Sequence, residues 1–153
     1  MECRSSGFPA TTVVNDGNGV TIQFVGGGGD DVFVNGARGD DTHGNDVSLS
    51  VDLGSGSDRL VVRGLRLSGT ISGGGGDDTY VFVSQVTGTL VLAEAAGVGT
   101  DTLDFSPIAI SPSIGVRIDL AATASQAVAP GLLIVLSSGS GFEDVVGSGG
   151  ADT

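Results

Sequence analysis

Apolar and polar residues alternate over short stretches of this chain, and glycine, proline and serine separate the stretches. Leu60 and Val62 belong to one such alternation, and Tyr80 and Phe82 occupy the equivalent places in another. Alternation with a period of two is typical of half-buried β-strands, in which every second side chain faces the core. Three later stretches are also strand-like, at 114–120, 132–136 and 142–146. The pattern predicts an all-β chain and no convincing helix.

Between the strands, a nine-residue phrase occurs twice, as GGGGDDVFV from residue 26 and as GGGGDDTYV from residue 73. Glycine stands at its first, second and fourth places, aspartate at its sixth, and a large apolar residue, Phe33 or Tyr80, at its eighth. We predict that this eighth residue points inward from a short strand. A chain that repeats one phrase in this way is typically built of stacked turns.

Partial copies of the phrase extend the series along the chain. The sixth-place aspartates are Asp31, Asp41, Asp58, Asp78, Asp101 and Asp152. The glycines that accompany them are Gly26, Gly27, Gly29, Gly36, Gly39, Gly54, Gly56, Gly73, Gly74, Gly76, Gly97 and Gly99. Glycine adopts backbone conformations closed to other residues and leaves carbonyl oxygens bare on a tight loop. Because calcium prefers six to eight hard oxygen ligands, these carbonyls and carboxylates predict bound Ca²⁺.

The spacing of the aspartates predicts how the turns stack. Asp58 follows Asp41 by 17 residues, Asp78 follows Asp58 by 20, and Asp101 follows Asp78 by 23. Each interval is close to one coil of two strands and two turns, so these four should form one row with a strand spacing of about 4.8 Å. Asp31 is expected to begin the opposite row, where matching Gly and Asp are few. Metal is therefore expected mainly along one edge.

Other polar residues near the repeats have competing interpretations. Glu94 and Glu143 would either complete calcium shells or, as is usual for glutamate, be exposed to solvent. His43 stands at the inward place of the second repeat without a companion His, which favours a polar side chain at an irregular turn over a transition-metal ligand. Neighbours such as Asp77 and Asp78 point to opposite sides of an extended chain. Each pair is therefore interpreted as one ligand and one solvated carboxylate, and not as a catalytic dyad.

Composition narrows the classes of function. The 153 residues include 18 acidic and 6 basic residues, the latter all arginine, for a formal net charge of -12. This charge disfavours a nucleic-acid partner, because phosphate binding needs clustered Lys and Arg. The single cysteine, Cys3, excludes an internal disulfide. No apolar stretch approaches the roughly 18 residues of a membrane span. The chain has no Lys, no His-Glu-x-x-His and no Gly-x-Ser-x-Gly, so we expect no enzyme activity.

The repeats resemble the RTX, or hemolysin-type calcium-binding repeat, family, whose nonapeptide is G-G-x-G-x-D-x-U-x. The resemblance covers residues 20–105 well and returns at Gly147. It implies a right-handed parallel β-roll, a β-solenoid with calcium held between turns one coil apart. It also implies membership of a larger bacterial protein that is extracellular or on the cell surface, exported by a type I pathway, and folded only after it meets calcium outside the cell.

Three segments follow from these observations. Residues 1–19 are expected to be loosely ordered and show no secretory signal. Residues 20–105 form the RTX-like calcium-binding β-roll, and residues 106–153 continue the solenoid strands and end in a truncated repeat. This ending favours a piece of a longer polypeptide with neighbouring domains. Solenoid ends without polar caps expose strand edges, which favours end-to-end self-association.

The principal hypothesis is a non-catalytic, calcium-binding structural module in which metal binding and folding are one equilibrium. Two alternatives stay open. One is a fragment of a parallel β-helix enzyme that acts on polysaccharides with grouped carboxylic acids. The other is an adhesive or ligand-binding module, whose marker would be an exposed aromatic patch.

Overall fold

A computed structural model of the chain describes residues 2–4, 11–14, 20–36, 46–83, 86–94, 98–109 and 114–153. Its strands are β1 Glu2–Arg4, β2 Thr11–Val14, β3 Val20–Gly28, β4 Val32–Gly36, β5 Val47–Ser55, β6 Arg59–Val62, β7 Leu67–Gly75, β8 Thr79–Phe82, β9 Gly88–Leu92, β10 Thr102–Asp104, β11 Gln126–Ala129, β12 Leu132–Leu136 and β13 Asp144–Val146. The described part contains no helix long and apolar enough to cross a bilayer.

The strands form two sheets, and the chain alternates between them from β1 to β10. Sheet A has the order β1-β3-β5-β7-β9-β12-β11, and sheet B has the order β13-β10-β8-β6-β4-β2. From β3 to β10 each coil of the chain places one strand in each sheet, and every pair in that stretch is parallel. The predicted all-β parallel β-roll is therefore confirmed.

The core lies between the two sheets, and the parallel register stacks inward residues in ladders. Phe33 is paired with Leu60, Leu60 with Tyr80, and Tyr80 with Leu103, and all four are buried. Phe82 and Phe105 extend this core with stacked rings whose centroids are 4.9 Å apart. The eighth residue of each complete repeat, Phe33 or Tyr80, thus points inward as expected, because strand alternation directs its side chain toward sheet A.

Two residues on the other face of sheet B depart from the alternation. Val61 and Val81 occupy the alternate positions of β6 and β8, yet they are only 8% and 2% exposed. Neither residue belongs to the core cluster between the sheets. Sheet B is therefore covered on both faces at this level, which the period-two pattern alone did not predict.

The last strands extend both sheets by different means. β12 is parallel to β9, and β13 is parallel to β10, so each continues the solenoid direction. β11 instead pairs antiparallel with β12, across a turn in which Gly131 has a φ of 81°. Beyond β13, Thr153 donates its N–H to the Val116 carbonyl over 2.9 Å. The C-terminal turn thus packs on the segment around Val116.

Candidate metal centre

One row of aspartates lines the turns that lead from sheet A into sheet B. The N–H of Asp58 donates to Asp78 Oδ1 over 2.8 Å, and the N–H of Asp78 donates to Asp101 Oδ1 over 3.0 Å. All three side chains are buried. Each carboxylate therefore holds the backbone of the coil before it, and Asp58, Asp78 and Asp101 stack in one row as their spacing predicts.

Asp31 belongs to this same row, so its expected place in the opposite row was wrong. Its N–H donates to Asp58 Oδ1 over 2.6 Å across a sequence separation of 27 residues. The cause is strand pairing, because Val32 at the start of β4 is level with Arg59 at the start of β6. The coil between Asp31 and Asp58 is simply longer than the next two. Spacing alone could not show this, because coil length varies.

Some predicted site residues fall outside the described part of the chain. These residues are Asp41, Gly39, Gly97 and His43.

At the far end of the row, a glutamate takes the place of the next aspartate: Glu143 Oε2 accepts the N–H of Asp101 over 2.9 Å. The described row therefore runs from Asp31 through three further aspartates to Glu143.

The adjacent aspartates form a second, outer ladder. Asp30 Oδ1 accepts the N–H of Ser57 over 2.9 Å, and Asp77 Oδ1 accepts the N–H of Thr100 over 2.8 Å. Asp30 and Asp77 are exposed, whereas their neighbours in the row are buried. The two members of each pair thus have different surroundings, as expected for neighbours in an extended chain.

The fourth-place glycines lie in the turns and stack closely. Gly29, Gly56, Gly76 and Gly99 all have positive φ, from 101° to 144°. A Cβ on Gly76 would overlap the carbonyl oxygen of Gly56 in the coil before it. Only glycine allows both this conformation and this close approach. The carbonyl oxygens of one turn consequently lie against the bare Cα atoms of the next.

The remaining predicted glycines lie in strands. Sheet A contains Gly26, Gly27, Gly54, Gly73 and Gly74 near the strand ends that lead into the aspartate turns. Gly36 ends β4, at the opposite end of that strand from Asp31, and is paired with Val14. Gly36 is therefore not in a turn beside the row.

Asp152 binds the backbone of Val116 and not that of another repeat. Its Oδ1 accepts the N–H of Val116 over 2.7 Å and the hydroxyl of Ser148 over 2.7 Å, and the side chain is exposed. The N–H of Val116 lowers the pKa of Asp152 below its usual value. The carboxylate of the last repeat, on the C-terminal turn, thus accepts a main-chain N–H from another segment, as the carboxylates of the row do.

A buried glutamate joins the row from sheet A. Glu94 is 5% exposed, so the expectation that it lies in solvent was wrong. Its Oε1 accepts the N–H of Gly73 over 2.6 Å, and its Oε2 accepts the N–H of Gly74 over 3.2 Å. The Tyr80 hydroxyl also donates to Oε1. Asp78, Glu94 and Asp101 each present a carboxylate oxygen within 4.8 Å of the others.

Burial makes these carboxylates hard to ionise. Loss of hydration raises the pKa of Glu94 to about 8 and that of Asp78 to about 6, although main-chain N–H donors oppose both shifts. Burial likewise raises the pKa of Asp31, Asp58 and Asp101. A buried carboxylate that ionises without a compensating partner costs several kcal/mol. The row therefore favours a bound proton or a bound cation.

The donor set identifies the kind of cation that fits. Among the described residues, the Oδ2 atoms of Asp58 and Asp78 are buried and have no hydrogen-bond partner. The described cluster of Asp78, Glu94 and Asp101 offers carboxylate oxygens and no His or Cys. Oxygen donors of this kind suit hard cations such as Ca²⁺, whereas zinc and copper sites usually include nitrogen or sulfur. The residues present thus fit calcium.

No protein-family model matches the chain, and no curated protein or solved structure does so either.

Proposed function

We propose that this chain is a calcium-binding structural module whose β-roll is completed by Ca²⁺ between successive turns. The observation that carries the proposal is the buried row in which Asp58 and Asp78 each keep one carboxylate oxygen without a hydrogen bond among the described residues. One oxygen of each carboxylate holds the neighbouring coil, and the other is available to a cation.

Electrostatics explains why calcium and folding would be coupled. Asp31, Asp58, Asp78 and Asp101 are brought together only when the coils stack, and the chain already has a formal net charge of -12. Stacking without a counter-ion places like charges close together in a poorly hydrated row. Because an assembled site does not exist in the unfolded chain, the binding free energy of calcium becomes folding free energy.

The wider biological role follows from the resemblance of the repeats to RTX sequences. We infer that the module belongs to a larger bacterial protein, either secreted or on the cell surface, and folds after export. Extracellular calcium is millimolar, and sites of extracellular modules bind in about the 10⁻⁴–10⁻³ M range. The phrase at residues 26–34 and 73–81 supports this proposal, as does the parallel β-roll that it builds.

Two observations favour this role over the alternatives. The row carboxylates are buried and accept main-chain hydrogen bonds, which is a poor arrangement for acids that must reach a polysaccharide. The described aromatic side chains are also buried, and these are Phe24, Phe33, Tyr80, Phe82, Phe105 and Phe142. In the described part they offer no exposed platform for a sugar ring or a protein partner.

Circular dichroism and calorimetry of the full chain test the proposal. In chelator we expect a largely unfolded spectrum, and on addition of millimolar calcium we expect strand signal together with binding heat. Magnesium at the same concentration is the control for general screening of charge. A strand spectrum that is identical in chelator and calcium, with no binding heat, would overturn the proposal.

A further inference from the structure

We propose that Glu94 joins the row carboxylates Asp78 and Asp101 in an interior calcium site that has Tyr80 as a built-in reporter. The inference rests on the proposed function and deepens it, because Glu94 lies outside the repeated phrase and follows β9 of sheet A. The site would exist once in the described roll.

The three carboxylates converge from different elements. Asp78 precedes β8, Asp101 precedes β10, and Glu94 follows β9. Their ligand oxygens lie within 4.8 Å of one another, and the side chains are only 1%, 2% and 5% exposed for Asp78, Asp101 and Glu94. Three carboxylates in this space are held by the backbone of two sheets, unlike a surface group of acids that water can solvate.

An unpartnered oxygen points into this group. Asp78 Oδ2 is buried and, within the described part of the structure, accepts no hydrogen bond. A Cβ placed on Gly73 would overlap this atom and would lie 2.5 Å from Glu94 Oε1. The two oxygens therefore face the same space above the bare Cα of Gly73. Glycine at this place keeps the space open for a ligand.

The strand register of sheet A explains why Glu94 lies beside Gly73. Gly26 is level with Leu53, and Leu53 is level with Gly73, since their neighbours are paired in register. Glu94 is level with Gly73, two residues beyond the Ile71–Leu92 pair. One coil earlier, the equivalent inward place is filled by the buried side chain of Leu53. Gly26 also lies close to a carboxylate, that of Asp31 in its own repeat, but in this ladder it is Gly73 that has a glutamate level with it in the next coil.

Tyr80 fixes the orientation of the glutamate. Its hydroxyl donates to Glu94 Oε1 and accepts the N–H of Gly73 over 2.5 Å. Its ring is fully buried and packs edge-on against Phe142, with centroids 5.3 Å apart. A partner of this kind orients a ligating carboxylate from outside the first coordination shell. The carboxylate is thus positioned before a cation arrives.

The chemistry favours calcium over other cations. Three carboxylates supply only oxygen. Asp78 Oδ2 accepts no hydrogen bond among the described residues, and Glu94 Oε2 accepts one, from the N–H of Gly74, so both oxygens keep lone pairs for a cation. Calcium accepts irregular oxygen shells, whereas magnesium demands near-ideal octahedral geometry and keeps its water. A chain with one Tyr and no Trp gives this site an optical signature, because tyrosine sensitises Tb³⁺, a calcium mimic, at short range.

Tyrosine-sensitised Tb³⁺ luminescence of the full chain tests the site. We expect wild-type protein to give sensitised emission that excess calcium suppresses. Glu94→Gln should weaken Tb³⁺ binding by about tenfold or more and bind one calcium ion fewer by calorimetry. Asp52→Asn is the matched control, because Asp52 is exposed and lies outside the row, and it should keep the emission. Tyr80→Phe should lose the emission, because the chain has one Tyr and no Trp, and should bind calcium more weakly, because Glu94 loses the hydroxyl that orients it.

The outcomes separate this inference from the proposed function. Calcium-dependent folding of the wild-type chain without sensitised emission would overturn the interior site and leave the proposed function intact. Unchanged emission in folded Glu94→Gln would do the same. A strand spectrum that does not respond to calcium would overturn the coupling of calcium to folding in the proposed function, and emission that Glu94→Gln abolishes would still support the site. If Glu94→Gln does not fold, Glu94→Asp keeps the charge, withdraws the carboxylate, and should weaken Tb³⁺ binding.

Discussion

Asp58 and Asp78 are joined by a hydrogen bond of 2.8 Å from the N–H of Asp58 to Oδ1 of Asp78. The Oδ2 atoms of both residues are buried and, among the described residues, have no such partner. The two oxygens of one carboxylate thus have separate roles. One oxygen holds the register of the coils, and the other carries charge that water cannot solvate. Asparagine keeps an acceptor and removes the charge, so substitution separates the two roles.

Asp58→Asn should weaken calcium-dependent folding and leave the coil register unchanged. Each independent site contributes about 2.7 kcal/mol to the free energy of unfolding when free calcium is a hundred times its Kd. We expect the free energy of unfolding of the variant, measured by urea denaturation at fixed calcium, to fall by up to that amount for each calcium site that is lost. Asp52→Asn is the matched control, because Asp52 is in the same coil and is exposed. Equal calcium responses of the two variants would contradict the role of the row.

Acid should replace calcium in ordering the chain. The pKa of Glu94 is raised from 4.5 to about 8, and that of Asp78 from 3.8 to about 6, so the folded state holds protons that the unfolded state releases. The stability of the calcium-free fold is therefore highest at low pH and falls as pH rises from about 4 to about 8. Asp152, whose pKa is lowered, acts in the opposite direction only near and below 3.8.

Circular dichroism in chelator across this pH range measures the effect. We expect strand signal to increase on acidification, and we expect calcium affinity to decrease because protons compete for the same oxygens. Glu94→Gln should lack the part of the dependence that lies between pH 4.5 and about 8. Strand content in chelator that rises with pH through this window would show that the carboxylates are not buried as described.

Alanine substitutions at two glycines of one run should change the stability of the chain by different amounts. A Cβ on Gly26 would overlap the carbonyl oxygen of Leu53, whereas a Cβ on Gly28 would meet only Ser55 Oγ at 3.6 Å. Gly26→Ala should therefore destabilise the folded chain by about 1–3 kcal/mol, the usual cost of overpacking. Gly28→Ala should be close to neutral. Thermal melts at saturating calcium compare them, and similar losses in both variants would contradict the stacking.

The aromatic core should contribute independently of the metal. Phe82 is fully buried and stacks on Phe105 with centroids 4.9 Å apart. Phe82→Ala should lower the free energy of unfolding by about 3–5 kcal/mol at fixed calcium. Val25→Ala, at a side chain that is 44% exposed, should change it by no more than about 0.5 kcal/mol. Calorimetry should find the same number of ions per folded chain in both variants.

Local pattern in the sequence was sufficient for the type of fold and for the strands of the repeats. It was wrong at 114–120, which was predicted to be strand-like and contains no strand, and in the segment 1–19, which contains β1 and β2. Alternation around Leu60 and Tyr80 predicts strands whose inward residues form the core, and the structure buries both. The repeated glycines and aspartates predict stacked turns with one acidic edge, because few other residues tolerate positive φ beside a bare carbonyl. These features depend on neighbours within a few residues, and the parallel β-roll follows from repeating them.

Contacts between coils were decided only by the tertiary structure. Asp31 joins the row of Asp58 because β4 pairs with β6, and the length of the intervening coil cannot be obtained from a regular period. Glu94 is buried because it is level with Gly73, whose missing side chain leaves room for it. Burial and pKa depend on what lies one coil away. That neighbour is set by strand register, which no stretch of local sequence contains.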